Sequence, residues 1–484
     1  MIKATLLFGA TLLMLSPAQA ESDFARTEWT PPGMPQSQAQ SQPLQLQFAA
    51  LLQKVPVVPQ AGAEDLANHW PDLGMGLWPL QTLVSRALEF SPAIQEAYGN
   101  ARAAGYDVSQ AQSGLWPRVE LNANSPSVNL ENNNAVGSRV GASVVYNLVD
   151  FGKTRKQISS REFQFASLQD RLRTVRETTA FDTANAYLEL VKHQRLENLY
   201  AAHIDDLQAL THKLAEIVAV FPGRRSELTQ AQTRLGQAND SLLAVQAKKR
   251  QYRLDLMRQL GSYAPMASFA DALPDIPRET IPTLMESVKT QHPAIRSALA
   301  EASAVRAQVE EAQAAQKPQV DLIFSSQSGV DSNGLAAPAQ LYVTAKWLAF
   351  DGYGGKNSEQ ALSERALAAE ARAGQLLQEV EFKVRSAQED IQSLSARAEE
   401  LTALLRDTAQ VRKDYYDQWR ELGRRTLLDV LTAENEHLST QLSLATSQVD
   451  QVIAAVRMRH EAGIFQAWLV GDVSTASPAS RGTP

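Results

Sequence analysis

The feature that most constrains the fold is a duplication of the chain at an offset of about 200 residues. The segment SPAIQEAYGNARAAGYDVSQAQSGLWPRVELNANS begins at Ser91, and HPAIRSALAEASAVRAQVEEAQAAQKPQVDLIFSS begins at His292. Each unit is longer than a solenoid repeat, which has roughly 20–50 residues. The sequence therefore predicts two tandem repeats, 77–275 and 276–466. Four landmarks recur in the same order: Pro92 and Pro293, Pro117 and Pro318, the triplets at Asp150 and Phe350, and Gly223 and Gly423.

Both repeats predict the same order of elements. A short helix precedes a second helix that opens on the first proline of the repeat, because proline is tolerated in the first turn. The second proline ends that helix, since the residue before a proline avoids the helical region. Two strands follow, then a long helix, a turn at the glycine and a return helix.

The long helices are predicted over 153–218 and 355–421. The first of these segments contains no proline or glycine, and its apolar residues step by three and four, as at Phe165, Leu168, Leu172 and Val175. At 1.5 Å per residue such a helix is roughly 100 Å long. This length and spacing predict coiled-coil packing rather than a globular core.

Four strands are predicted at about 117–126, 138–149, 318–327 and 339–349. Apolar and polar residues alternate along each strand, which gives the sheet one apolar and one polar face. The apolar positions are Val119, Leu121, Ala123, Ala142, Val144, Tyr146, Leu148, Val320, Leu322, Phe324, Leu341, Val343, Ala345 and Trp347.

Such strands suit a membrane barrel whose apolar face meets lipid and whose polar face meets water. Four strands cannot stay open in lipid, because their edge N–H and C=O groups would lack partners. A barrel needs at least about eight strands, so two or three copies of the chain are expected to close it. The alternative is a small soluble sheet packed on the helices.

The two ends of the chain are predicted to lie outside the repeats. Residues 1–20 combine a basic start, an apolar run and the cleavage site Ala18-Gln19-Ala20, which indicates a secretory signal peptide. Residues 21–76 are typical of a flexible leader and residues 467–484 of a disordered tail. After residue 20 no apolar run is long enough for a spanning helix.

Composition argues against several classes of function. The 484 residues include no cysteine, so disulfides, a thiol nucleophile and a lipid-modified cysteine are excluded. The formal net charge of -7 argues against a nucleic-acid partner. The seven histidines form no HxxxH or HExxH pair, so no metal or other cofactor is expected.

The stretch LVDFGKTR at 148–155 resembles two nucleotide-binding motifs but completes neither. A phosphate-binding loop requires a glycine five residues before Gly152, where this chain has Asn147. A kinase triplet requires a Gly-rich loop and an HRD loop, and neither is present. We expect instead a strand-to-helix joint, at which Asp150 caps the helix and Gly152 bends the chain. Asp351 and Gly352 form the corresponding joint of the second repeat.

Across about residues 77–465 the chain resembles the TolC family of outer-membrane export ducts. The most specific match is GRRTLLDVL at 423–431, which is similar to the family segment Gly-x-Arg-Thr-x-x-Asp-Val-Leu. The resemblance implies a mainly helical chain of two coiled-coil hairpin repeats with four strands. It also implies a homotrimer, whose strands close one twelve-stranded barrel in the outer membrane and whose helices form a periplasmic tunnel.

The resemblance further implies a gate at the periplasmic tip of the tunnel. In the family an aspartate ring narrows the entrance, and a tip arginine makes inter-helix ion pairs that hold it closed. By position these residues are Asp429 and Arg425, beside Arg424 and the turn residue Gly423.

Two positions depart from the family pattern at the tip. The second family aspartate is Thr432 here, and the first-repeat partner of the gating arginine is Thr229, for which Glu227 is a candidate substitute. The first-repeat turn is expected to dock an adaptor protein through Gly223, Arg224, Arg225 and Glu227. The alternative for all these charges is an ordinary solvated side chain near a helix start.

These features predict a passive duct in the outer membrane that extends into the periplasm and has no enzymatic activity. The expected partners are outer-membrane lipid, a periplasmic adaptor and an inner-membrane transporter. Type I protein secretion with an ABC transporter is the favoured use, because the tip resembles the secretion members. Small-molecule efflux with a proton-driven pump is the alternative. A periplasmic coiled-coil scaffold, or the adaptor itself, is the alternative from another class.

Overall fold

The computed structural model describes residues 79–124, 127–128, 135–136, 139–261, 273–274, 281–328 and 339–470. The predicted signal peptide and leader lie outside the described residues, as does most of the predicted tail. Residues 467–470 of that tail instead belong to a final helix, because Phe465 is fully buried and Trp468 and Leu469 pack against the same core cluster.

The described residues of the first repeat form four α-helices and four strands. The helices are α1 (Leu80–Phe90), α2 (Pro92–Gln112), α3 (Lys153–Val220) and α4 (Arg225–Gln259). The strands are β1 (Arg118–Asn124), β2 (Ser127–Val128), β3 (Ala135–Val136) and β4 (Arg139–Val149). The short pair β2 and β3 lies in the loop between the two predicted strands and was not expected from the sequence.

The second repeat has the same order of main elements. Its helices are α5 (Ile281–Gln291), α6 (Pro293–Ala315), α7 (Gly354–Asp417) and α8 (Leu427–Glu461), and α9 (Phe465–Val470) follows. Its strands are β5 (Gln319–Ser328) and β6 (Gln340–Lys346). Strand β6 stops three residues before the predicted end, because its last pair is Lys346 with Gln319 and the next position on β5 is Pro318, which has no backbone N–H to donate.

One antiparallel sheet has the strand order β1-β4-β5-β6. Its register places Val119, Val144, Phe324 and Leu341 in one apolar row across all four strands. A polar row on the opposite face includes Asp321, which accepts hydrogen bonds from Asn147 and Gln319 at 3.1 Å each. The predicted alternation is therefore confirmed, and β1 and β6 are the edge strands of the sheet.

The shorter helices lie alongside the two long ones. Helix α3 packs against α2, α4, α6 and α8, and α7 packs against α6 and α8. Three buried clusters hold this arrangement together, one where α1, α3, α4 and α8 meet, one at the hairpin tips, and one among α5, α6, α7 and α8. None of the described helices is long and apolar enough to span a bilayer.

Candidate functional site at the hairpin tips and strand-to-helix joints

The second hairpin turns through a widened segment. Helix α7 ends at Asp417, and residues Gln418–Leu422 form a π-helical turn before Gly423, whose φ is 60°. The Arg424 backbone N–H donates to the Gln418 carbonyl oxygen at 3.2 Å. Single π-helical turns are frequently found at functional sites, and this one lies directly before the predicted gate residues.

Asp429 caps helix α8 through a reciprocal pair of contacts. Its Oδ2 accepts hydrogen bonds from the Thr426 backbone N–H at 3.0 Å and hydroxyl at 2.9 Å, and its own N–H donates to Thr426 Oγ1 at 3.3 Å. The backbone hydrogen bond, then the hydroxyl and then the charge of Arg425 hold the pKa of Asp429 below its usual range. The predicted gate aspartate therefore carries a negative charge and has a fixed position on the turn.

Arg425 is held within the same turn. Its guanidinium carbon lies 4.1 Å from the centroid of the Tyr415 ring, and its Nε donates to Gln418 Oε1 at 3.3 Å. Arg424 is exposed and takes part in the turn through its backbone. Neither arginine bridges the two hairpins through a described contact within one protomer.

The first hairpin turns through the short 3-10 segment Pro222–Arg224, which contains Gly223. Arg224 binds Glu227 with two hydrogen bonds, Nε to Oε1 at 3.0 Å and Nη2 to Oε2 at 2.7 Å. Glu227 is thus paired with its own turn rather than with an arginine of the second hairpin. Arg225 is exposed at the start of α4, and its carbonyl oxygen accepts from the Thr229 hydroxyl at 3.1 Å.

The structure shows contacts between the hairpins that sequence reasoning missed. Lys213 Nζ of α3 donates to the Tyr416 hydroxyl of α7 at 3.1 Å. Arg412 Nη1 lies 3.3 Å from both Asp206 Oδ2 and Glu434 Oε2. The sequence signal that could have pointed to these contacts is the aromatic pair Tyr415 and Tyr416 of α7, which precedes the turn motif GRRTLLDVL.

Trp419 adds an apolar contact between the two tips. Its side chain is buried in the tip cluster with residues of α3, α4 and α8, and the Arg224 guanidinium carbon lies 5.6 Å from its ring centroid. The π-helical turn of the second hairpin is therefore anchored on the first hairpin by both apolar packing and a cation–π contact.

The two strand-to-helix joints have matching geometry. Asp150 accepts from the backbone N–H groups of Gly152 at 2.9 Å and Thr154 at 2.8 Å, and Asp351 accepts from the Gly355 N–H at 2.5 Å. Both joints bend through left-handed backbone, with φ of 88° at Gly152 and 66° at Gly352. The DFG and FDG triplets thus lie at the points where the sheet passes into the long helices.

Comparison with known proteins matches the chain to channels of one kind. The family model described as "Outer membrane efflux protein" matches residues 83–262, within the predicted first repeat. The outer membrane efflux protein BepC of Brucella suis biovar 1 (strain 1330) is 22% identical over 409 residues, which cover 80% of this chain and 85% of that protein.

Solved structures show the same fold at low sequence identity. VceC from Vibrio cholerae is 19% identical with a TM-score of 0.71, covering 79% of this chain and 96% of VceC. CusC is 17% identical with a TM-score of 0.72, covering 79% and 91%. The open-state MtrE channel of Neisseria gonorrhoeae is 18% identical with a TM-score of 0.69, covering 79% and 88%.

The fold is that of outer-membrane channels that have a helical tunnel and a barrel part, and both the matched family and the structural neighbours are passive channels rather than enzymes. Residues 83–262 match the outer membrane efflux protein family, and the chain has the fold of TolC-like channels. The predicted resemblance to TolC-like channels and the mainly helical fold class with a few strands are confirmed, and these matches do not favour the alternative of a coiled-coil scaffold or adaptor. These matches support a location in the outer membrane with an extension into the periplasm.

Proposed function

We propose that three copies of the chain form a passive export duct, with repeats at 77–275 and 276–466. The supporting observation is the four-stranded sheet, whose apolar row faces away from its polar row and whose edge strands β1 and β6 have no further partner strand among the described residues. Edge groups exposed to lipid would be unsatisfied. Pairing β6 of one copy with β1 of the next satisfies both edges and closes twelve strands.

The gate of this duct is proposed at the second-hairpin tip. Three copies of the ionised Asp429 around one narrow axis repel each other, attract cations and set the field through which solutes pass. Arg425 holds the turn that carries Asp429, through its contacts with Tyr415 and Gln418. At the first tip, the exposed Arg225 and the Arg224–Glu227 pair offer a charged surface for a periplasmic adaptor.

The cargo proposed first is a protein exported by type I secretion, with an ABC transporter supplying the energy. The tip segment GRRTLLDVL carries this proposal. Small-molecule efflux beside a proton-driven pump is the second candidate, and it is favoured by the name of the relative BepC, an outer membrane efflux protein.

Two measurements test this function. Outer-membrane fractions of the host should contain a heat-modifiable species at three times the chain mass, and a monomer in that fraction would contradict the trimer. A deletion strain is then compared with its parent by secretome proteomics and a drug-susceptibility panel. Loss of one or a few large secreted proteins with unchanged drug tolerance supports secretion. An unchanged secretome with lower tolerance to apolar drugs overturns secretion in favour of efflux.

A further inference from the structure

A cavity of about 500 Å³ lies where the sheet passes into the long helices. Its walls come from four separate parts of one chain: the start of α3, the end of α6, the start of β5 and the end of β6. Three lysines from separate positions in the chain are among the residues that line it. They are Lys153 in the first turn of α3, Lys317 between α6 and β5, and Lys346 at the end of β6.

The cavity has more positive than negative charge. None of the three lysines forms a salt bridge with a described residue, although Lys317 Nζ lies 5.8 Å from the centroid of the Phe151 ring. The one carboxylate in the lining is Asp150, and both of its oxygens already accept backbone N–H groups at the α3 start. Three ammonium groups around one cavity repel each other, and a bound anion removes that repulsion.

The rim of the cavity is apolar and fixed in place. Trp347 is 63% exposed and Leu348 is 74% exposed, and both line the cavity. The hydrogen bond from the Trp347 indole N–H to the Gln316 carbonyl oxygen orients the ring. Tryptophan is enriched at membrane–water interfaces, where one end of the side chain is apolar and the other is wet. A ligand that matches this cavity has an anionic head and an apolar body.

We propose that this cavity binds the phosphate group of an anionic phospholipid at the periplasmic surface of the outer membrane. The location rests on the proposed function, since it requires the apolar sheet face to meet lipid. Lysine binds phosphate as a point charge, and basic residues near a membrane surface attract anionic lipid. The charges of the three lysines attract the phosphate, and Trp347 and Leu348 contact the glycerol and first acyl carbons.

The test uses the full-length protein purified from membranes, with phosphatidylglycerol, phosphatidylcholine and inorganic phosphate as probes. Lipid-bound states are counted by native mass spectrometry across a titration of each probe. Phosphatidylglycerol is expected to bind more tightly than phosphatidylcholine. Since each lysine near an anionic lipid contributes about fivefold in affinity, the triple variant K153Q/K317Q/K346Q is expected to bind it roughly a hundredfold more weakly.

A matched control removes the same charge elsewhere. Lys248, Lys289 and Lys413 are exposed helix residues outside the cavity lining, and the variant K248Q/K289Q/K413Q is expected to bind phosphatidylglycerol as the wild type does. Equal loss in both variants would show only a charge effect and overturn the site. Inorganic phosphate binding as tightly as phosphatidylglycerol would assign a soluble anion and overturn the lipid.

Channel conductance in planar bilayers separates this proposal from the proposed function. If the wild-type protein conducts but binds both lipids equally, the proposed duct stands and the proposed lipid site is refuted. If the wild-type protein binds phosphatidylglycerol selectively but forms no channel, the proposed lipid site stands and the proposed duct is refuted. The cavity variant is expected to conduct normally, because its lysines lie away from the tip gate.

Discussion

Replacing Glu177 by glutamine should stabilise the protein in a pH-dependent way. The Glu177 side chain of α3 is 8% exposed, and its carboxylate oxygens accept from the Gln466 backbone N–H at 3.1 and 3.3 Å. Burial raises the pKa of Glu177 to about 7, against the hydrogen bonds from Gln466 and Phe465 and the charge of Arg176, which lower it. The folded chain therefore favours the protonated form of Glu177, and ionisation of this carboxyl destabilises the fold.

The sign and size of the effect follow from linkage. A folded-state pKa of about 7 against 4.5 in the unfolded chain contributes stability that is complete below pH 4.5 and lost as pH rises through 7. At 1.36 kcal/mol per pKa unit the loss is about 3 kcal/mol at pH 8. Nearby His460 stays neutral above pH 4.5, because burial lowers its pKa to about 4.

The glutamine variant has no charge to bury and keeps an oxygen that accepts from Gln466. We expect E177Q to be about 3 kcal/mol more stable than wild type at pH 8 and within about 1 kcal/mol of it at pH 4.5. The assay is denaturant unfolding of the detergent-solubilised protein, followed by circular dichroism at both pH values. Glu216 lies on the same helix with its side chain 68% exposed, and E216Q should change stability by less than about 0.5 kcal/mol. A variant equally or less stable than wild type at pH 8 would refute the reasoning.

Three further predictions concern the channel. Asp429→Asn should reduce the cation selectivity of single channels in planar bilayers, and unchanged reversal potentials would contradict the acidic ring. Tyr416→Phe removes the hydroxyl that binds Lys213, so channels should open more often. Tyr415→Phe is the matched control, because it also removes a hydroxyl but keeps the ring that Arg425 contacts. Val144→Lys places a charge on the apolar row at a cost of about 2–4 kcal/mol in lipid. Outer-membrane trimer should therefore fall, whereas Ser325→Lys on the polar row should assemble, and equal assembly of both would contradict the assigned lipid face.

The elements were predictable because each one follows from a local rule. Pro92 and Pro293 open α2 and α6 at their first turns, and the segment from Lys153 onward contains no helix breaker until Pro222. Strand parity was predictable for the same reason, since alternation assigns every residue to a face before any pairing is known. The pairing of Val144 with Phe324 could be read only from the structure, because it links strands from different repeats.

The tip contacts were only partly predictable. The GRRTLLDVL motif located the turn and its capping aspartate, because a Thr426 cap with an acid three residues later is a helix-start signal. The contact of Lys213 with Tyr416 joins residues about 200 positions apart, and no local pattern specifies it. The cavity lysines were missed for the same reason, since Lys153, Lys317 and Lys346 come together only through the fold.

The two threonines that depart from the family pattern at the tip make local hydrogen bonds instead of joining the hairpins. Thr229 and Thr432 each donate to a carbonyl oxygen of their own helix, at 3.1 and 2.8 Å, so neither hydroxyl joins the hairpins in this arrangement. The joining contacts lie further along the helices, where Asp206 and Lys213 of α3 meet Arg412 and Tyr416 of α7. Asp206 and Arg412 are partly solvent-exposed, so this ion pair alone contributes little stability. The buried Trp419 therefore holds the turn in place, and the polar contacts fix its orientation. A movement that separates the two hairpins at the tip would have to break these polar contacts and expose Trp419.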